Sequence, residues 1–242
     1  MRALIQKRQR EFTSVNTCAA YLGLQERGYE IGFFETEEMA DINLSDLPLV
    51  VAGVPVIQQV FKRWQIDLPE LESIPSCLSA YAGRKVWSET LGQVRQRIDL
   101  GEAVFIKPVA SQLKSFTGHV IHNYRDLAIT AGLPATQVVV CSSPVEMLAE
   151  YRVYVVHGQI IGCKHYYGDY RKTPDFSQID QAIKAYNSAP HAYAIDFAVT
   201  AANQTILIEV NDAYALGSYG LHPMLYAGLL ETRWLQLTAR LR

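Results

Sequence analysis

Polar side chains interrupt an otherwise apolar strand pattern in TILIEVNDAYALGSYGL, residues 205–221. Side chains alternate between faces along a strand, so Glu209 and Asn211 point the same way, about 7 Å apart. A buried carboxylate and amide are costly unless a partner compensates them. One reading is structural, with Glu209 capping a loop or pairing with an arginine. The other is a Mg²⁺ site, since this ion takes a few carboxylate or amide oxygens and leaves its other positions to phosphate and water.

A second polar residue, Asp196, lies in the apolar strand YAIDFAV. If this strand and the next form a hairpin centred between Ala202 and Asn203, Asp196 lies directly opposite Glu209. Directly opposed side chains on one face of an antiparallel pair are close neighbours. We therefore predict that Asp196, Glu209 and Asn211 share one face and bind a hard divalent cation.

The segment EYRVYV places Glu150 and Arg152 on a common strand face. A surface ion pair between them would contribute little to stability. The functional alternative is an arginine directed at phosphate oxygens, which its planar fork matches. The residues alone leave both alternatives open.

Two lysines accompany a glycine-bearing loop. Lys107 ends the strand AVFIK, and Lys114 lies in a loop that includes Thr117 and Gly118. A lysine at a strand end beside such a loop can hold a nucleotide phosphate as a point charge. Neither GxxxxGK[ST] nor GxGxxG occurs, so the sequence does not predict a P-loop or a dinucleotide fold.

The elements that must position these residues change character along the chain. The first 70 residues alternate strand and helix patterns, which predicts a small parallel sheet with helices packed on it. Prolines mark a lobe boundary near residues 69–80. Beyond it we predict a helix over 84–98, several antiparallel hairpins, and a closing helix over 222–240. The class expected is α+β, an α/β start followed by an α+β body.

Composition narrows the class of protein. The 242 residues are 49% hydrophobic, and 22 Lys and Arg stand against 24 Asp and Glu, which argues against a nucleic-acid binder. The four cysteines show no CxxC or zinc spacing and predict reduced thiols. Neither a signal peptide nor a membrane span is evident, so we expect a cytoplasmic protein without a membrane partner.

Taken in order, FIKPV, KSFTG, VVVCSSPVEMLAEYRVYV, AIDFAV and LIEVND resemble the ATP-grasp superfamily, specifically the divergent clade named for one arginine and two lysines. The resemblance covers about residues 80–225. It implies an N-terminal lobe over 1–78 and an ATP-grasp domain over 79–242. Within that domain it implies a nucleotide lobe over about 79–143 and a metal and substrate lobe over about 144–242, with antiparallel sheets that clasp the nucleotide.

The resemblance also implies roles for residues. Lys107 and Lys114 would contact ATP phosphates, with the loop that contains Thr117 and Gly118 acting as a lid. Arg152 would bind the transferring phosphate and, with Lys107, serve catalysis. The Mg²⁺ ligands would be Asp196, Glu209 and Asn211. The hinge at 141–146 would contact adenine and ribose through Ser143, Val145 and Glu146. The lid has a single glycine, and no substrate signature follows Asn211.

The activity implied is ATP-dependent ligation of a carboxylate to an amine or thiol through an acyl phosphate. The substrate expected first is a peptide or protein, and the other expectation is a small molecule. Two alternatives stay open: a kinase that uses the same ATP site, and an assembly or interaction module that binds nucleotide without turnover.

Overall fold

The computed structural model describes residues 1–69, 71–109 and 115–241. Three four-stranded sheets organise this part of the chain. One sheet is mainly parallel and lies in the N-terminal lobe, and the other two are antiparallel. The α/β start and the α+β body therefore agree with the prediction from sequence.

The N-terminal sheet is built around its first strand, which runs parallel to neighbours on both edges. A two-residue strand adds an antiparallel pair at the end of the first strand. Ser14 begins the first helix, where its hydroxyl accepts a hydrogen bond from the Thr17 amide. The elements are β1 (Arg2–Arg8), β2 (Glu11–Phe12), α1 (Val15–Glu26), β3 (Glu30–Glu35), β4 (Leu49–Val51) and α2 (Val54–Arg63).

The second sheet has the strand order β5-β8-β6-β7. Its elements are β5 (Val86–Thr90), α3 (Leu91–Asp99), β6 (Val104–Pro108), β7 (His119–Ile121) and β8 (Val138–Ser142). The predicted helix over 84–98 is therefore wrong in its first half. Val86 through Thr90 pair residue by residue with β8, and Thr90 then caps α3 by accepting from the Gln93 amide at 3.2 Å.

The third sheet has the order β10-β9-β11-β12, with every neighbouring pair antiparallel. Its strands and helices are β9 (Met147–Val156), β10 (Gln159–Gly168), α4 (Phe176–Ala185), β11 (Ala192–Thr200), β12 (Thr205–Asp212) and α5 (Pro223–Thr238). Short 3₁₀ turns occur at Thr36–Ala40, Ser76–Tyr81, Asp126–Thr130 and Ala239–Leu241.

The hairpin between β11 and β12 confirms one predicted pair and corrects the predicted turn. Asp196 lies opposite Glu209, as expected. The turn closes around Ala202, with the Thr200 amide bonded to the Gln204 carbonyl, instead of between Ala202 and Asn203. A bulge between Asp196 and Phe197 offsets that difference in register.

Helices cover one face of each antiparallel sheet. Ile106 and Val139 of the second sheet pack with Leu91 and Val94 on α3. In the third sheet, Val153 and Phe197 belong to a core shared with α4. The opposite face of the third sheet carries Tyr154 and Ala194, which join a core with the N-terminal lobe and α5.

The last helix fastens the N-terminal lobe to the rest of the chain. Trp234 on α5 is 1% exposed, and its ring centroid lies 4.8 Å from that of Phe61 and 5.7 Å from that of Trp64, beside α2. The carboxylate of Glu231 accepts a hydrogen bond from the Tyr29 hydroxyl at 2.5 Å. This packing fixes where α2 lies relative to the third sheet.

All four cysteines are free thiols. Burial raises the pKa of Cys141 to about 12 and that of Cys163 to about 11, so both thiols are protonated at neutral pH. None of the helices in the described ranges combines the length and apolar character that crossing a membrane requires.

Trp234→Ala tests how much the packing of α5 against α2 contributes to stability. Removing a buried indole leaves a cavity, so we expect the free energy of unfolding to fall by about 4 kcal/mol in urea titrations. Leu225→Ala, on the exposed side of the same helix, is the control and should cost less than about 0.5 kcal/mol. Similar losses for the two variants would contradict the assigned packing.

Candidate functional site

The site is built on a row of charged residues that crosses the third sheet. Lys164 on β10 pairs with Arg152 on β9, Arg152 pairs with Asp196 on β11, and Asp196 pairs with Glu209 on β12. Directly paired residues point to the same face of a sheet. Two cations are thus followed by two carboxylates across four adjacent strands.

Arg152 and Asp196 form a buried, two-pronged ion pair. Nε of Arg152 donates to Oδ1 at 2.8 Å and Nη2 donates to Oδ2 at 2.6 Å. The two side chains are 8% and 2% exposed. Burial raises the pKa of Asp196 to about 6, although Arg152 acts in the opposite direction. Nη1 of Arg152 has no hydrogen-bond partner among the described residues.

An aromatic stack covers the arginine. The guanidinium carbon of Arg152 lies 4.7 Å from the centroid of the Tyr219 ring, and Tyr219 stacks on Tyr166 at 4.9 Å. Tyr219 has a φ of 42°, in the left-handed region that bulky residues seldom adopt. The chain therefore places this ring against Arg152 at a conformational cost.

Glu209 links the third sheet to the second. Nζ of Lys107, on β6, donates to Oε2 of Glu209 at 2.7 Å and also contacts the Ser73 hydroxyl. Burial acts to raise the pKa of Glu209, but Lys107 and the Asn211 amide outweigh it, so that pKa lies below its ordinary value. Glu209 is therefore ionised at neutral pH.

Asn211 completes the set of three predicted metal ligands. Its Nδ2 lies 3.3 Å from Oδ2 of Asp196 and 3.1 Å from Oε1 of Glu209. No group of three or more His, Cys, Asp or Glu suited to a metal occurs in the described part of the chain. The predicted set consists of two carboxylates and this amide. A half-turn of that amide would present its oxygen beside the carboxylates, which gives the hard-oxygen donor set that Mg²⁺ takes.

A cavity of about 550 Å³ opens between the two antiparallel sheets. Phe105, Lys107, Val140 and Ser142 line it from the second sheet, and Ile208 lines it from the third. Ligand pockets in proteins typically measure about 300–1,000 Å³. The cavity is large enough for a nucleotide. Lys107 lies in its wall and joins it to the ionic cluster, which consists of the two ion pairs Lys107–Glu209 and Arg152–Asp196.

A second cavity of about 880 Å³ lies on the other side of the cluster. Arg152 and Asn211 line it together with Gln58 and Lys62 of α2 and the segment 214–217. Lys107 therefore reaches one cavity and Arg152 the other. The ionic cluster lies between two spaces that could hold two reactants.

Part of the predicted lid lies beside Lys107. A Cβ on Gly118 would lie 2.7 Å from Cζ of Phe105 and 3.4 Å from Cβ of Lys107, so only glycine permits this approach without displacing the ring. Thr117, next to it, is exposed. The predicted phosphate contact Lys114 lies outside the described residues.

The predicted hinge links the second sheet to the third. The Ser143 amide donates to the Lys85 carbonyl at 3.0 Å, and the Glu146 carbonyl accepts from the Ala201 amide at 3.1 Å. Among the described residues that line the 550 Å³ cavity, this region contributes Ser142 and not Ser143, Val145 or Glu146. The adenine and ribose contacts therefore stay predictions.

The sequence reading missed Arg84. Its Nη1 donates to the carbonyl oxygens of Ala82 at 2.9 Å and Leu207 at 2.7 Å, and Nη2 donates to that of Ile208 at 3.3 Å. Burial lowers the pKa of Arg84, with Glu209 opposing the shift. Arg84 also lines the 550 Å³ cavity. The prediction of one helix over 84–98 placed Arg84 in that helix, although Gly83 directly before it is typical of a chain turn.

Comparison with known proteins identifies the family. Residues 81–229 match the family described as ATP-grasp domain, R2K clade family 2. The match spans more than half of the chain, so the chain belongs to this family, as its motifs predicted. A search of curated protein sequences finds no significant match.

Solved structures show the same fold at low identity. D-alanine–D-alanine ligase from Bacillus anthracis is 12% identical, with a TM-score of 0.61 over 100% of both chains. N5-carboxyaminoimidazole synthetase from Staphylococcus aureus is 11% identical, with a TM-score of 0.63 over 98% of this chain and 77% of that one. The ATP-grasp ligase PsnB with a minimal precursor is 14% identical, with a TM-score of 0.56 over 96% and 99%. The predicted ATP-grasp fold is confirmed.

A double-mutant cycle tests the buried pair. Asp196→Asn leaves the Arg152 charge buried without its counter-ion, so we expect a loss of about 3 kcal/mol in the free energy of unfolding. Adding Arg152→Met removes that charge, and the double variant should be more stable than Asp196→Asn alone. Urea titrations of the four chains provide the measurement. Additive losses would show that the two side chains do not interact.

Proposed function

We propose that this chain is a Mg²⁺-dependent, ADP-forming ligase that joins a carboxylate to an amine or thiol through an acyl phosphate. The observation that carries the proposal is the convergence of Lys107 and Arg152 with Asp196, Glu209 and Asn211 between two cavities. Membership of the ATP-grasp family is consistent with ATP as the phosphoryl donor.

ATP would occupy the 550 Å³ cavity, with its phosphates beside Lys107. The ammonium of Lys107 is held by a carboxylate at 2.7 Å, and a polyphosphate offers it a larger negative charge. Lys107 would then transfer its hydrogen bonds to phosphate oxygens. Glu209 would become available as a metal ligand at the same moment.

Asp196, Glu209 and Asn211 would hold Mg²⁺ beside Lys107, where the cluster separates the two cavities. The ion, when bound, would supply positive charge against the phosphate oxygens. Arg152 already balances one of the two carboxylates, and its second hydrogen bond fixes the direction in which Asp196 points. Asp196 is thus oriented by the protein before substrates arrive, whereas Glu209 and Asn211 would take up their roles when the ligands bind.

The donor carboxylate would enter from the side that Arg152 lines. Its oxygen attacks the γ-phosphorus, a new O–P bond forms, and the bond to the β–γ bridging oxygen breaks to release ADP. The amine or thiol then attacks the acyl carbon and expels inorganic phosphate, with its proton passing to solvent. Nη1 of Arg152 would donate to the charge that develops on the transferred group.

A peptide or protein is the substrate that the second cavity favours. The 880 Å³ cavity shares Val54 and the segment 214–217 with a third cavity of about 670 Å³, which reaches Gln6 and Arg8 in the N-terminal lobe. A peptide bound across these shared residues would lead to Arg152. PsnB was solved with a minimal precursor, and MdnC from Microcystis aeruginosa with the precursor peptide MdnA.

Nucleotide binding can be tested before any substrate is known. With Mg²⁺ present, ATP should raise the melting temperature, because a ligand of the native state stabilises it by mass action. Lys107→Met should remove most of the shift, whereas Lys184→Met, an exposed lysine on α4, should leave it unchanged. AMP should stabilise much less than ATP. An equal shift with AMP, or none with either nucleotide, would exclude the phosphate site.

The reaction is tested by its products. A panel of amino acids and peptides is screened for ADP release, and the carboxylate of an active substrate is then labelled with ¹⁸O. One label should appear in inorganic phosphate. Arg152→Lys should lower kcat about 100-fold while changing ATP affinity far less, because the arginine acts on charge that develops during transfer.

The products also separate the alternatives. Label in AMP would indicate adenylation and contradict the acyl phosphate. A stable phosphorylated product would identify a kinase. Stabilisation by ATP with no turnover across the panel would favour a nucleotide-binding module.

A further inference from the structure

We propose that Arg84 is a positioning residue whose hydrogen bonds to two consecutive carbonyls of β12 fix the bulge that places Glu209 and Asn211 beside Asp196. The claim about the bulge stands on the fold alone. Its consequence for Mg²⁺ rests on the proposed function, in which these three residues are the metal ligands.

The bulge sets the register of the site. Phe197 pairs with Leu207, and the next residue back on β11, Asp196, pairs with Glu209. Ile208 is therefore an extra residue with no partner on β11. In an unbulged hairpin with the same turn, Asp196 would face Ile208, and Glu209 would point to the opposite face of the sheet.

Arg84 bonds where the strand is irregular. Successive carbonyls of a regular strand point to opposite edges, yet those of Leu207 and Ile208 both accept from one guanidinium, at 2.7 and 3.3 Å. The third bond, to the Ala82 carbonyl at 2.9 Å, holds the guanidinium to its own segment. At the bulge, Arg84 thus supplies the hydrogen-bond donors that these two carbonyls require when buried.

The segment that carries Arg84 is held close to β12. Gly83 has a φ of 61°, and a Cβ there would lie 2.2 Å from Cγ2 of Ile206, two residues before the bulged position. On the other side of the bulge, the Val210 amide donates to the Ser73 carbonyl at 2.8 Å. Contacts from outside the hairpin therefore flank the bulge, and Arg84 bonds at the bulge itself.

Arg84→Met removes the donors and keeps most of the side-chain volume. Without nucleotide, we expect faster backbone hydrogen exchange at Glu209, Val210 and Asn211, with exchange in β8 unchanged. The Mg²⁺ concentration that gives half of the ATP-induced melting shift should rise about tenfold, as for other residues that orient metal ligands. Arg84→Lys keeps the charge but has a single donor nitrogen in place of the guanidinium. Exchange should therefore be as fast as in Arg84→Met.

Deletion of Ile208 removes the extra residue of the bulge and gives a control chain in which to test Arg84→Met. Glu209 would then follow Leu207 directly and lie opposite Asp196 with no bulge. Adding Arg84→Met to this deletion should change neither hydrogen exchange nor the Mg²⁺ dependence. Equal effects of Arg84→Met in both backgrounds would overturn the proposal.

The exchange measurement keeps this proposal separate from the proposed function. If Arg84→Met weakens ATP binding while exchange at Glu209 and Asn211 stays as in the unmodified chain, Arg84 contacts phosphate only and the proposal is wrong. The same holds if Arg84→Lys restores slow exchange. If the unmodified chain does not bind ATP, the proposed function fails, whereas faster exchange in Arg84→Met would still uphold the assigned role in the bulge.

Discussion

Two carboxylates next to each other in a sheet must be compensated, and that requirement organises the molecule. Asp196 and Glu209 face each other across β11 and β12, where like charges repel and burial disfavours ionisation. Arg152 compensates the first from a neighbouring strand of the same sheet. Lys107 compensates the second from a different sheet. The compensation of Glu209 is therefore also a tie between the two antiparallel sheets.

The cavities follow from this arrangement. Because Lys107 reaches across to Glu209, the second and third sheets face each other over a space lined by Phe105 and Val140. On the opposite side of the cluster, the packing of Trp234 against Phe61 brings α2 over Arg152 and closes the second space. Beside each cavity there is thus an interaction between parts of the chain that are distant in sequence.

Much of the fold and part of the site follow from local patterns. Strand alternation correctly grouped Asp196, Glu209 and Asn211, because the side-chain period of two is a property of the chain itself. The assumed turn was wrong, and the predicted pairing held only because a bulge restored it. This bulge depends on contacts from Arg84, which is far away in sequence, so no pattern within the hairpin could predict it. The helix predicted over 84–98 was wrong for a related reason. Pairing with β8, which lies far away in the sequence, makes Val86–Thr90 a strand.

The salt bridge between Lys107 and Glu209 has a thermodynamic consequence. Together with Arg152 and Asp196, the pair gives the cluster a formal charge of zero. A polyanion that attracts Lys107 would leave Glu209 uncompensated, and the cluster would then attract a cation more strongly. By linkage, the cation would raise the affinity for the polyanion by the same factor. One lysine shared between two acceptors would thus be sufficient to make the two binding events cooperative.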